Sequence, residues 1–318
     1  MTIKSNKNGG KKSKDNDLGF GTNMTTNSQR FLRKDGSFNV IRRGSSDYSV
    51  YQQLLEMSWW KFVGLTVFNF ILINCFFALL FVLNGKEYIA GVEHGSFGDH
   101  FMQAFFLSVQ TFTSVGYGAL SPVGLNANLI SSVAALVGLI SFAIATGLFF
   151  ARFSKPKARI LFSDQAIITS YREEEMSLQF RIANLRNNKL LDVTATVNVS
   201  WLENKNGKIR RRFTELTLER NHLFFFPLNW TIVHPINPKS PFYKKTPQDI
   251  HEMKTEILVL IQGYDETYAQ TIHSNESYIA NEIVFGVQFV KMYYPSNELH
   301  STVLELDKIS TVESIPKS

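Results

Sequence analysis

Two runs along the chain carry no charged residue, Phe62 to Leu83 and Phe101 to Ala151. The first is long enough, at about 1.5 Å per residue, for a helix to cross roughly 30 Å of hydrocarbon. The second is too long for one span, and Gly116 and Gly118 break it near its middle. It therefore divides into a short helix from about Gly98 to Thr111 with Asp99 as its cap, an extended loop, and a second spanning helix from about Asn126 to Phe153. The short helix cannot cross, so it must dip in and return. Non-helical backbone is tolerated at that depth only where protein or a water-filled cavity surrounds it. Within the first span, the amides of Asn69 and Asn74 are costly against lipid and must face protein or each other. Gly138 and Gly147 thin the second span for bending or for close packing.

After Arg159 the period changes from helical to alternating. Leu191, Val193, Ala195, Val197, Val199 and Trp201 alternate with Asp192, Thr194, Thr196, Asn198 and Ser200, the pattern of a strand with one wet face. Leu178, Phe180 and Ile182 repeat it, Asn206-Gly207 marks a hairpin turn, and strand-like runs return at 257–261 and 282–294. Several short strands with turn signals predict a β-sandwich. Ahead of the first span, Val50, Tyr51, Leu54 and Leu55 share one helix face, with Ser46 or Asp47 as cap and Trp59 and Trp60 at its exit. Paired tryptophans suit a membrane interface, so this helix is expected to lie along the membrane surface; an ordinary amphipathic core helix is the competing reading. Arg30 to Val40 reads as short extended pieces about an Asp35-Gly36 turn, and Met1 to Arg30 is too polar to bury a core and is expected to be disordered.

The 318 residues carry a formal net charge of +6, but the basic residues are scattered or stand beside the spans. That placement reads as contact with anionic lipid, not with nucleic acid. Arg42, Arg43 and Lys61 precede the first span, and Arg152, Lys155, Lys157 and Arg159 follow the second, so both termini are expected in the cytoplasm. Pro156 stops the second helix from continuing. No apolar stretch lies in residues 1–50, so no cleavable secretory signal is expected. The single cysteine, Cys75, excludes an internal disulfide and reads as a lipid-facing or packing residue. No nucleophile elbow or phosphate loop occurs, and the histidines lack metal-ligand spacing, so neither an enzyme nor a cofactor is expected.

The chemistry lies in Ser114-Val115-Gly116-Tyr117-Gly118. Stripping water from a cation is costly unless replacement oxygens meet it. Backbone carbonyls line one side of a loop when alternate residues adopt dihedrals that glycine accepts cheaply. Gly116 and Gly118 stand at that alternation, Tyr117 can brace the loop from behind, and Ser114 offers a hydroxyl at the cytoplasmic entrance. The stretch resembles the Thr-Val-Gly-Tyr-Gly filter of potassium channels, with serine in place of threonine.

With these parts in order, the chain resembles an inward-rectifier potassium channel of the prokaryotic branch, from Arg30 to about Tyr294. Besides the filter, the likeness rests on Arg30-Phe31, Asp35-Gly36 and Asn39-Val40, on Thr146 to Pro156, on Trp230 to His234 with Ser240 to Phe242, on Gly263 to Thr267 and on Asn281 to Ile283. It implies a cytoplasmic tail with a short strand (1–46), an interfacial slide helix (47–58) and a two-transmembrane-helix potassium-channel pore domain with a re-entrant pore helix (59–153). A cytoplasmic immunoglobulin-like β-sandwich (154–318) follows. It implies a homotetramer in the bacterial inner membrane, with the permeant K+ held at Ser114, Val115, Gly116 and Tyr117. The gate would stand at Phe150, whose ring otherwise merely packs between helices, and Phe142, Thr146, Asp265 and Glu266 would line the passage. Lys61, Arg152, Lys155 and Lys157 resemble anionic-lipid or phosphoinositide contacts, with positive-inside anchoring as the other account. Two departures bear on behaviour: Phe142 stands where strong rectifiers carry an acidic residue, and Gln110 where many relatives have glutamate. A weakly selective cation channel and a membrane-anchored β-sandwich binding protein are the alternatives.

Overall fold

The computed structural model describes residues 30–315, apart from 35, 42, 45–48, 93–94, 156–157, 173–174, 206–207 and 297–299. The tail before Arg30, Asp35, the caps expected at Ser46 or Asp47, Pro156, Lys157 and the Asn206-Gly207 turn lie outside the described residues. The chain forms two compact units, one of residues 43–155 and one joining the residues up to 42 with those from 156 onward.

The first unit is helical, with α1 Val50–Glu56, α2 Trp59–Asn84, α3 Phe97–Phe112 and α4 Gly124–Phe153. α2 and α4 are each long and apolar enough to cross a membrane. α1 is capped by Ser49, whose side chain accepts from the Gln52 N–H, in place of the expected Ser46 or Asp47. α3 is likewise capped by Ser96 and not by Asp99. A cap residue must be extended while its side chain reaches the third helical N–H, and Ser96 does this; Asp99 instead returns a carboxylate oxygen to the Ser96 N–H at 2.8 Å. A two-residue ladder, β1 Ile89–Ala90 against β2 Ser121–Pro122, joins the segments on either side of α3 and the loop after it.

The second unit is two sheets about one core. The strands are β3 Ile160–Phe162, β4 Ala166–Ser170, β5 Met176–Asn184, β6 Leu190–Lys205, β7 Lys208–Glu215, β8 His222–Phe225, β9 Asn229–Ile236, β10 Glu256–Asp265 and β11 Gln270–Ile279. Shorter pieces follow, β12 Ile283–Phe285, β13 Val287–Phe289, β14 Tyr293–Ser296, β15 Ser301–Leu304 and β16 Val312–Ser314. In one sheet β10 lies between β11 and β6, and β7 and β8 follow one another along the far edge of β6. In the other β5 has β9 on one side and β3 and β4 on the other, with β12 parallel to β4. Phe180, Ile182, Val197, Ile232, Ile257 and Ile261 fill the space between. A short helix, α5 Pro247–Glu252, precedes β10.

Two strand expectations are corrected. Leu191 was expected on the face of Val193, but the buried place falls to Leu190, because Asp192 adopts φ 53° and the pairing with β10 shifts between Gln262 and Tyr264. The extra residue is a β-bulge, and past it every side chain changes face. The run 282–294 is not one strand: Gly286, at φ 71°, turns the chain between β12 and β13.

Polar groups organise this core as well. The Glu256 carboxylate, 2 % exposed, accepts from the Phe31 N–H at 2.9 Å and the Leu32 N–H at 3.4 Å, which straps the N-terminal segment to the sheet. Burial pushes Glu256 above the usual carboxylate range. Arg30 completes the strap by pairing with Glu282 at 3.0 Å and Glu276 at 3.3 Å.

His234 is a buried imidazole of this core. Its Nδ1 lies 2.7 Å from the Thr217 carbonyl oxygen and so must carry the proton, which leaves Nε2 to accept from the Ser240 hydroxyl at 2.8 Å. Burial holds its pKa below the ordinary value. A histidine kept neutral in the fold but free to protonate when unfolded adds stability above about pH 6.5, and that stability is lost as pH falls through the folded pKa. Acidifying the detergent-solubilised protein from about pH 7.5 to about pH 5 should therefore lower its thermal midpoint, with a smaller drop in His234→Gln. Equal drops in the two proteins would assign the acid sensitivity to other groups.

Candidate functional site

The loop between α3 and β2 has the alternation that carbonyl alignment requires. Ser114, Gly116 and Gly118 take φ of 58°, 56° and 83°, while Val115 and Tyr117 between them stay at negative φ. The glycines were legible in sequence; the left-handed Ser114 was not. A β-branched threonine resists that region more than serine does, so the departure from threonine suits the backbone observed here. The loop is tied to α3 by the Val115 N–H donating to the Gln110 carbonyl at 2.9 Å and the Ser114 N–H to that of Thr111 at 3.1 Å. From Val115 to Gly118 every residue is exposed in the single chain, with Tyr117 at 78 %.

The scaffold around the loop is held at several points. Ser108 Oγ on α3 donates to Asn74 Oδ1 on α2 at 2.8 Å, and both residues are fully buried. At the end of α3 the Phe112 ring meets Phe70 edge-on at 5.6 Å. α4 meets the same point: a Cβ on Gly138 would stand 2.0 Å from the Phe112 carbonyl oxygen. Gly138 thus serves close packing, whereas nothing lies within 4 Å of a Cβ at Gly147. Beyond the loop, Gly91 at φ 83° would place a Cβ 2.0 Å from the Ala119 carbonyl oxygen, and the Val123 N–H donates to the Tyr88 carbonyl at 2.8 Å. Gln110 Oε1 is buried with no partner among the described residues, so it does not brace the loop within one chain.

On α4 the neighbouring phenylalanines part. Phe149 packs on Trp59 and Phe62 of α2 at ring distances of 5.8 and 5.0 Å, while Phe150 is 71 % exposed. Phe142, Thr146 and Phe150 follow at four-residue intervals and form one exposed stripe. Arg152 is held within the chain: its guanidinium donates to the carbonyls of Leu54 and Met57 and lies 4.5 Å from the Phe62 ring centre, so it fastens α1 to the ends of α2 and α4. Lys61 is exposed, and Lys155 is exposed with Glu56 3.9 Å away.

Asp265 is 1 % exposed, and its carboxylate accepts from Asn188 Nδ2 at 2.8 Å and from the Thr267 N–H at 2.9 Å, so it fixes a turn. Glu266 beside it is exposed, with Lys189 3.8 Å away. No group of metal-binding side chains occurs among the described residues.

Comparison with known proteins bears on both units. Residues 160–318 match the inward rectifier potassium channel C-terminal domain and residues 66–155 the ion channel family. The chain is 36% identical over 269 residues to the inward rectifier potassium channel Kirbac3.1 of Paramagnetospirillum magnetotacticum, covering 83% of this chain and 89% of that protein. It is 27% identical to the human G protein-activated inward rectifier potassium channel 4, covering 82% of this chain and 68% of that one, and 28% identical to human channel 2, covering 82% and 67%.

Because the Phe112 carbonyl is backbone and cannot swing aside, Gly138→Ala should destabilise the helical unit by roughly 1–3 kcal/mol, the usual cost of overpacking. A lowered thermal midpoint in detergent checks this; a wild-type midpoint would mean that α4 does not rest on that oxygen.

Proposed function

The chain belongs to the inward rectifier potassium channel family, and from that premise we propose that four copies surround one axis and pass K+ down its gradient. It is a channel and not an enzyme. The observation that carries the reading is the alternation of left-handed residues at Ser114, Gly116 and Gly118, the dihedral pattern that would let successive carbonyls share one side. One such loop covers only one side of an ion, and cyclic symmetry supplies the remainder. Carbonyls of Ser114, Val115, Gly116 and Tyr117 and the Ser114 hydroxyl then replace the water around the ion. The C-terminal end of α3, with its partial negative charge, points to the entrance of the loop and favours a cation there.

In this reading the termini are cytoplasmic, since basic residues flank the outer ends of both spans. The stripe Phe142, Thr146 and Phe150 faces the axis, and four Phe150 rings close it by excluding water. Lys61, Lys155 and Lys157 meet anionic headgroups at the cytoplasmic face, while Arg152 couples α1 to the end of α4. Movement of α1 along the surface would thereby reach the helix that carries Phe150.

The decisive measurement is cation flux in liposomes under opposed potassium and sodium gradients, with and without anionic lipid. Potassium should dominate; a reversal potential that followed sodium would remove the reading. Phe150→Ala, which takes all four rings from the constriction, should raise flux severalfold. Unchanged flux would put the closure elsewhere.

A further inference from the structure

We propose that Asn74 is a positioning residue for the selectivity filter, acting through Ser108 on the rotation of α3. The inference rests on the potassium-channel reading and assigns a part in it to a side chain that touches no ion. Hydroxyls in and at the ends of helices commonly return their proton to the carbonyl one turn back, and among the described residues four do: Thr66 to Phe62, Thr111 to Leu107, Thr113 to Val109 and Ser132 to Asn128. Ser108 does not. Its hydroxyl crosses to Asn74 Oδ1 at 2.8 Å, while Asn74 Nδ2 donates to the Phe70 carbonyl at 2.9 Å and so holds the amide in one orientation.

The position of this bond gives it leverage. Ser108 and Phe112 are one turn apart on the same buried face of α3, and Phe112 is the last residue of the helix. Phe112 is seated by shape alone, between the Phe70 ring and Gly138. Apolar contacts of that kind permit small rotations, whereas a buried hydrogen bond has one direction and one length. Val115 is bonded to the Gln110 carbonyl, so a turn of α3 about its axis is passed directly to the carbonyls that follow. In a membrane the two polar groups have no water to turn to if the bond opens.

The test uses the full chain in liposomes and reads the potassium to sodium permeability ratio from the reversal potential. Ser108→Ala and Asn74→Leu should each lower the ratio about fivefold, the scale of one interhelical hydrogen bond in a membrane. The double variant should lose no more than either single one, since both remove the same bond. Asn74→Asp, whose protonated carboxyl keeps an acceptor for Ser108 and a donor for Phe70, should retain the wild-type ratio. Should Asn74→Leu fail to assemble, Ser108→Ala, which removes one atom, carries the test. A wild-type protein that is selective while Ser108→Ala keeps its ratio overturns the inference alone, even if stability falls. A wild-type ratio near one overturns the potassium-channel reading with it.

Discussion

A main chain that leaves its carbonyls unpaired at membrane depth has to be held by everything around it. Helices satisfy their own polar groups, but the loop from Ser114 to Gly118 gives up that arrangement so that its oxygens are available. The helical unit answers this constraint in each of its parts. α3 ends where the loop begins, the Ser96 and Asp99 box fixes its other end, and α2 and α4 grip its last turn through Asn74, Phe70 and Gly138. The far side of the loop returns through β2, which pairs with β1, and Gly91 lets the two segments approach too closely for any other residue. A loop so held is kept to one set of dihedrals by its scaffold, which is what the selection proposed above would require.

The β unit solves a different problem, joining a segment from before the spans to strands from after them. It does so with charge as well as with apolar burial, for Phe31 and Leu32 pack into a cluster with Phe213 and Leu258. Glu256 takes two backbone N–H groups of the strap, Arg30 meets Glu276 and Glu282, and Arg211, almost fully buried, lies over the Phe31 ring at 4.8 Å. Burial pushes Arg211 down and Glu256 up, so each charge depends on its neighbours for its place in the fold. Such a joint specifies position closely and adds little net stability, which suits an attachment that must be made in one register.

What could be read from sequence followed from period and composition. Both spans were legible because a membrane demands about twenty apolar residues in a row, and the loop because two glycines interrupted the second run. β5 and β6 were legible by alternation and β10 by a short run of apolar residues. What escaped was whatever depends on a partner distant in sequence. The sequence offered no sign that the Asp265 carboxylate is met by Asn188, or that the Arg152 guanidinium reaches carbonyls of α1 and of Met57. The bulge at Asp192 left no mark in the pattern except the apolar pair Leu190-Leu191, of which either could have been the buried one.

Asn69 and Asn74 show how far the same rule extends. Both lie on α2, and both donate Nδ2 to the carbonyl one turn back, at 2.9 Å. Among the described residues only Asn74 finds a second partner; Asn69 remains exposed, with Thr146 and Phe142 also open on α4. An amide left with spare hydrogen-bonding capacity against hydrocarbon is costly, and the expectation that both asparagines face protein is met inside one chain for only one of them. The requirement that satisfies Asn74 through Ser108 therefore asks for protein or water beyond this chain at Asn69. The assembly of copies around an aqueous axis proposed above would provide both at Asn69.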